Sequence, residues 1–211
     1  MNCPLLVLGT GGHARVLLDA LFLRGCTVLG MVGPDSQRHG TSIMGITVLG
    51  SDAVVYEYSP AEVELVNGLG SIGSMAARRE LFTRFSASGY RFAQVIHPSA
   101  IVARDVVLGE GVQLAAGSIV QTAARIGENT LINTRASVDH DCVIGAHVHI
   151  APGCTLSGGV QVGDSVHIGC GATIREGVCL GEGCLVAAGA VVVAEVAPRS
   201  RVAGIPAKAL I

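Results

Sequence analysis

From Ile96 onward an aliphatic residue returns at every sixth position, through Val102, Leu108, Leu114 and Val120 and without a gap to Val192, seventeen positions in all. Four residues after each, from Ala100 to Val196, the side chain is again small or β-branched. A helix repeats at about 3.6 residues and a plain strand at about 2, so neither sustains this period. Short strands separated by regular corners and wound as a solenoid do. The pattern therefore predicts a β-helix of hexapeptide repeats. In it the small residue and the aliphatic two places later point inward, the residue between them points out, and the other three positions turn the corner. Gly109, Gly127, Asn129, Gly145, Gly163 and Gly181 fall at corners, where the backbone must take positive φ or pass close to a neighbour. Cys142, Cys154 and Cys184 fall on the inward small register and read as core filler.

Residues 1–91 follow a different pattern. LLVLG reads as a strand, RVLLDALFLRG as a helix, TVLGMVG as a second strand, AEVELVNGLG as a further strand and MAARRELFTRFSASG as a second helix. That order predicts a small Rossmann-like α/β domain ahead of a β-helical domain of residues 92–211, a mixed fold. Gly9, Gly11 and Gly12, followed by His13, lie where the first strand feeds the first helix, so backbone N–H groups and the helix N-terminus can hold a phosphate. The spacing departs from G-x-G-x-x-G, and no Asp or Glu closes the second strand to hold a ribose, which weighs against a dinucleotide. A purely structural tight turn stays open.

Composition sharpens this picture at four points. Half of the 211 residues are hydrophobic, enough for a sizeable core without crosslinks. A formal charge of −2 leaves no broad basic footprint for nucleic acid. Twenty-nine glycines beside four Phe, three Tyr and no Trp suit a tightly wound backbone with small side chains. Seven cysteines, an odd number without CxxC spacing, suit reduced thiols. The opening MNCPLLVLGTGGHARVLLDAL lacks the form of a secretory signal, and no apolar run reaches membrane-spanning length, so a cytoplasmic protein with no membrane span is expected.

Three histidines lie in SVDHDCVIGAHVHIAPG, residues 137–153. His149 and His167 occupy the outward strand position 18 residues apart, three hexads, and should stack on one face of a three-sided coil. His140 sits at a corner between Asp139 and Asp141, and an acidic neighbour can fix its tautomer and stabilise the imidazolium. His147, at another corner, is read as left in solvent.

The unbroken repeat behind a Rossmann-like half, together with NTRASVDHDCVIGAHVHIAPG (133–153) and the terminal RVAGIPAKAL, resembles the PglD/NeuD family of bacterial sugar acetyltransferases over essentially the whole chain. The resemblance implies an acetyl-CoA-dependent transfer, without a covalent acyl-enzyme or a metal, to a nucleotide-linked amino sugar, a 4-amino-4,6-dideoxy sugar, for surface glycan assembly. It implies His140 as the general base and Asp141 as the group that orients it. His149 would lie by the acetyl-CoA thioester and the Gly158 N–H, one coil above His140, would face its carbonyl. Gly204, Pro206 and Lys208 would lie near the CoA nucleotide. Gly9, Gly11, Gly12 and His13 would hold the diphosphate of the sugar nucleotide, with Asp35, Gly70, Ser71 and Asn133 as further substrate contacts. Where relatives that recognise uridine often carry an Asp pair, this chain has Gly33, Pro34 and Asp35, which leaves UDP, GDP and dTDP open. The acyl donor of the family lies in a groove between adjacent β-helices, implying a homotrimer with shared sites. The alternatives are O-acetylation of a sialic acid, a non-catalytic scaffold, and a zinc hydratase of the γ-carbonic anhydrase type. The H-x4-H spacing of the last is not matched by gaps of seven, two and eighteen among these histidines.

Overall fold

The computed structural model describes residues 3–71 and 75–210. Its first part contains β1 (Leu5–Leu8), α1 (Gly12–Leu23), β2 (Val28–Val32), β3 (Ser42–Ile43), β4 (Ile46–Gly50), β5 (Glu64–Asn67) and α2 (Ala76–Ala87). The sheet order is β3-β4-β2-β1-β5, parallel except for the β3–β4 pair. All four residues of β1 are buried, as a parallel strand covered on both faces requires. Leu5 and Val7 meet Leu17, Leu18 and Leu21 of α1, while Leu6 and Leu8 meet Leu81, Phe82 and Phe85 of α2, so the alternation of one strand builds a three-layer domain.

The β3–β4 hairpin was not foreseen. Its two-residue turn places Met44 and Gly45 at φ 51° and 83°, the left-handed pair that suits a tight hairpin. The Met-Gly pair before ITVLG was the available signal, and a two-residue β3 is too short to show alternation.

Seventeen two-residue strands follow, from Val95–Ile96 to Val191–Val192, as the hexad count predicts. Each pairs in parallel with the strand 18 residues on, for example Ile119 with Ser137, Arg125 with Val143 and His149 with His167. The chain is thus a left-handed parallel β-helix of three sheets, with the inward positions packed into one continuous core. Cys142, Cys154 and Cys184 are buried in it.

The corners separate two requirements that the sequence reading had merged. The residue just before each inward small position takes left-handed φ at every corner from Gly111 to Gly189, including Asn129, Asp141 and His147 at 53°, 58° and 57°. Gly109, Gly127, Gly145, Gly163 and Gly181 do not take it. They form a separate column in which neighbouring coils nearly touch: a Cβ on Gly127 would lie 2.5 Å from the Gly145 carbonyl carbon. Of the five glycines and one asparagine named in advance as corner residues, only Asn129 is there for its backbone angle.

The three outward faces also differ. Gln113, Leu131 and His149, one above another in a single sheet, are buried, whereas Ile101, Val107 and Val143 on the other two are exposed. The first domain lies against the Gln113–His149 face.

Candidate active site

An open cleft of about 710 Å³ runs between the glycine turn after β1 and the covered face of the coil. Gly9, Gly11, Gly12, His13, Gly70, Ser71, Asn133 and His149 all line it. The turn is made by close approach. Gly9 sits at φ 114°, and a Cβ there would lie 3.1 Å from the Gly68 backbone; one on Gly68 would lie 2.7 Å from the Leu8 carbonyl oxygen. Gly11 and Gly12 face open space, no side chain caps α1, and no acid lies in its first turn. The free N–H groups and positive dipole end of this helix therefore face the cleft as an anion cradle.

Two imidazoles in the cleft are fixed as neutral. The Gln113 amide nitrogen donates to the Asn67 carbonyl at 2.8 Å, so its Oε1 accepts from His13 Nε2, also at 2.8 Å. Burial, followed by the Arg78 charge, holds His13 down at about 4. His149 is 5% exposed. Asn133 Oδ1 takes the Thr134 N–H, which turns its amide nitrogen to donate to His149 Nε2 at 3.1 Å. His149 Nδ1–H then donates to Ser71 Oγ at 2.5 Å. Burial first, and the charges of His167 and Arg78 next, hold His149 down at about 3. The rings of His149 and His167 meet edge to face at 5.0 Å, the stacking expected from their spacing.

His140 occupies a different place. Its side chain is 58% exposed at a corner, and its Nδ1 bonds Asp141 Oδ2 at 2.7 Å. That bond and the nearby Asp139 raise its proton affinity. The ring lies close against Gly158: a Cβ there would be 2.6 Å from both Cε1 and Nε2. The Gly158 N–H has no hydrogen-bond partner among the described residues.

The coil's geometry sets these two groups apart. His140 turns the corner between the sheet of Ser137–Val138 and that of Val143–Ile144, and His149 belongs to the third sheet. In a three-sided coil that corner lies opposite the third face, the one the first domain covers. Within one chain the cleft and the His140 corner therefore do not meet.

The remaining residues fall elsewhere. Gly204 ends strand Arg201–Gly204, which pairs antiparallel with Ala207–Ala209; Lys208 faces Ala203 in this pair and Pro206 lies in the turn, at the far end of the His149 sheet. Asp35 accepts from the Gln37 N–H and pairs with Arg38 at 3.2 Å, and Pro34 rather than Asp35 lines the cleft. His147 requires a correction: it is 8% exposed, not solvated. Its Nδ1 accepts from Asn129 Nδ2 at 3.0 Å and its ring meets Phe82 edge on at 5.6 Å, because its corner is the one against which α2 packs. Gln113 and Arg78 were missed. Gln113 shares the outward register of His149, and Arg78 shares the buried stripe of Leu81, Phe82 and Phe85, an i, i+3, i+4, i+7 signal legible in the sequence. Burial raises the Cys142 thiol and holds Cys154 and Cys184 at about 11, so none is poised as a thiolate. Among the described residues no group of three His, Cys, Asp or Glu is arranged to hold a metal, and no helix is long and apolar enough to cross a membrane.

Comparison with known proteins bears on both halves. Residues 4–85 match the PglD N-terminal domain, and residues 123–158 and 159–194 match the bacterial transferase hexapeptide (six repeats). The acetyltransferase domain of PglB from Neisseria gonorrhoeae is 34% identical, with a TM-score of 0.91 over 99% of this chain and 100% of that one. The chain belongs to the PglD/NeuD family of sugar acetyltransferases. Within that family, a His-to-Asn variant of perosamine N-acetyltransferase from Caulobacter crescentus, in complex with CoA and GDP-perosamine, is 34% identical over 99% of this chain and 97% of that one, with a TM-score of 0.91. WeeI from Acinetobacter baumannii is 26% identical over 98% of this chain and 99% of that one, with a TM-score of 0.85. A curated relative, the 2,3,4,5-tetrahydropyridine-2,6-dicarboxylate N-succinyltransferase of Paramagnetospirillum magneticum, is 34% identical over 79 residues, 37% of this chain, which spans only 26% of that protein.

Proposed function

We propose that this protein transfers the acetyl group of acetyl-CoA to the amine of a nucleotide-linked amino sugar, a 4-amino-4,6-dideoxy sugar, in the cytoplasm. The observation that carries this reading is the His140 corner, where Asp141 holds Nδ1 and, among the described residues, neither Nε2 nor the N–H of Gly158, the residue against the ring, has a partner. An amine must lose a proton as it attacks a thioester, and an imidazole oriented by an acid is suited to take it. The attack forms the C–N bond and a tetrahedral oxyanion, for which an aimed backbone N–H contributes on the order of 3 kcal/mol. Collapse breaks the C–S bond, and the proton held by His140 passes to the departing thiolate.

The cleft supplies the nucleotide sugar: the α1 N-terminus with Gly9, Gly11, Gly12 and His13 takes the diphosphate, while Gly70, Ser71 and Asn133 face the sugar. Because the cleft and the His140 corner lie on opposite sides of one coil, the complete site needs two copies, one giving its cleft and the other its corner. A homotrimer closed about the β-helix axes brings each cleft to a neighbour's corner, puts His149 beside the thioester, and leaves Gly204, Pro206 and Lys208 to the CoA nucleotide. In this reading residues 1–91 bind the sugar nucleotide and 92–211 carry the acetyl donor and the base. A GDP-linked sugar is the first acceptor to test, since relatives are bound to GDP-perosamine and this chain lacks the acid pair after β2. Thiol release from acetyl-CoA is measured across UDP-, GDP- and dTDP-linked 4-amino sugars and free sialic acids. Release with a nucleotide 4-amino sugar supports the reading; release with sialic acids alone replaces the acceptor by a hydroxyl, and release with none of them overturns it.

A further inference from the structure

Arg78 heads the fully buried side chains in size and is 1% exposed, yet no carboxylate pairs with it among the described residues. Its Nη1 donates to the carbonyls of Asn67 and Leu69 at 2.9 and 2.8 Å, its Nε reaches the Asn129 carbonyl at 3.4 Å, and its Nη2 has no partner among the described residues. Its other close ionisable neighbours offer no counter-charge: His13, His147 and His149 are buried or half-buried imidazoles, and the Arg78 charge helps keep each of them neutral. A buried cation without an anion is costly, and an anion bound in the adjoining cleft would offset that cost.

The contacts of Arg78 point to what that is. Asn67 and Leu69 bracket Gly68, and the segment continues through Gly70 and Ser71 as one wall of the cleft. A trans peptide sends its C=O and N–H in opposite directions. The Leu69 carbonyl held by Arg78 therefore turns the Gly70 N–H away from the guanidinium, and that N–H has no partner among the described residues. The Asn67 carbonyl also accepts from Gln113, which in turn accepts from His13, so one guanidinium braces both the loop and the imidazole of the cleft.

We propose that Arg78 is a positioning residue and buried counter-charge for the diphosphate of the nucleotide sugar. It holds the 67–71 wall in its receiving shape, and its positive charge is balanced only when the anion fills the cleft. This rests on the nucleotide-sugar reading above. Arg78 touches no reacting atom, so its loss falls on substrate affinity rather than on the chemical step.

The test is calorimetric binding of GDP, UDP, dTDP and acetyl-CoA to the whole protein, unaltered and as Arg78→Met and Arg78→Lys, with steady-state kinetics alongside. Met keeps much of the volume without the charge, and Lys keeps the charge without the fork. The expected result is nucleoside diphosphate binding weakened about ten- to a hundredfold in Arg78→Met, recovered in part in Arg78→Lys, with the same change in KM for the sugar nucleotide and unchanged acetyl-CoA affinity. If Arg78→Met does not fold, Arg78→Lys is read alone against the unaltered protein, and a several-fold loss confined to the nucleotide supports the role. Diphosphate binding undiminished in either variant, or a loss shared equally by acetyl-CoA, overturns the role of Arg78 alone. An unaltered protein that binds acetyl-CoA but no nucleoside diphosphate overturns the nucleotide-sugar reading, and the Arg78 role with it.

Discussion

The imidazoles of the cleft and the imidazole of the corner are the same group in opposite surroundings. His13 and His149, enclosed beside Arg78, are held at about 4 and about 3, and every assigned ring nitrogen bond is to a neutral amide or hydroxyl. His140, exposed between two carboxylates, is pushed the other way. For the two histidines of the coil, position in the hexad decides which: the outward strand position of the covered face buries the His149 ring, and the corner opposite that face leaves the His140 ring in water. In the proposed reading, the difference separates a histidine that shapes a ligand site from one that exchanges a proton.

The largest break in that comparison comes from His140→Ala, which is expected to lower kcat about a thousandfold while leaving assembly and nucleotide binding intact, as read by turnover, light scattering and calorimetry. Gly158→Ala follows. Its Cβ would collide with the His140 ring at 2.6 Å, so kcat should fall about a hundredfold with little change in melting temperature. Asp141→Asn removes the first cause of the raised proton affinity of His140. Since the base must be unprotonated, kcat falls as pH drops through its pKa. The variant's acid limb should therefore move to lower pH, with a plateau reduced about tenfold. The smallest effect concerns stability. The unfolded chain protonates His149 near its ordinary value of 6.5, whereas the folded chain resists to about 3. Its contribution is therefore present above 6.5 and lost as pH falls below it. The melting temperature should drop by a few degrees between pH 7 and pH 5, and less steeply in His149→Gln.

The period of six made the β-helix legible from side chains alone, since any inward substitution would break the series from Ile96 to Val192. The cleft's glycine turn was legible for the same reason, as a strand feeding a helix through residues without Cβ atoms. What remained hidden was which face the first domain covers. A hexad says that Gln113, His147 and His149 point outward from the coil, but outward means solvent only if nothing packs there. The burial of His147 under α2, and the bracing of the cleft by Gln113, depend on contacts between residues 46 to 100 positions apart, which no local pattern encodes. Sites shared between copies were implied by the family resemblance, but that the His140 corner lies opposite the covered face appears only once the sheets are ordered.

That sharing is tested most directly by complementation. His140→Ala keeps its cleft, and Gly12→Asp, which puts a carboxylate at the anion cradle, keeps its corner; each is inactive alone. Refolded together at equal concentration, they should regain activity from about a quarter of the sites, those joining an intact cleft to a neighbour's intact corner. Activity that stays at the level of the separate variants in verified mixed oligomers would place both half-sites within one chain and contradict the account.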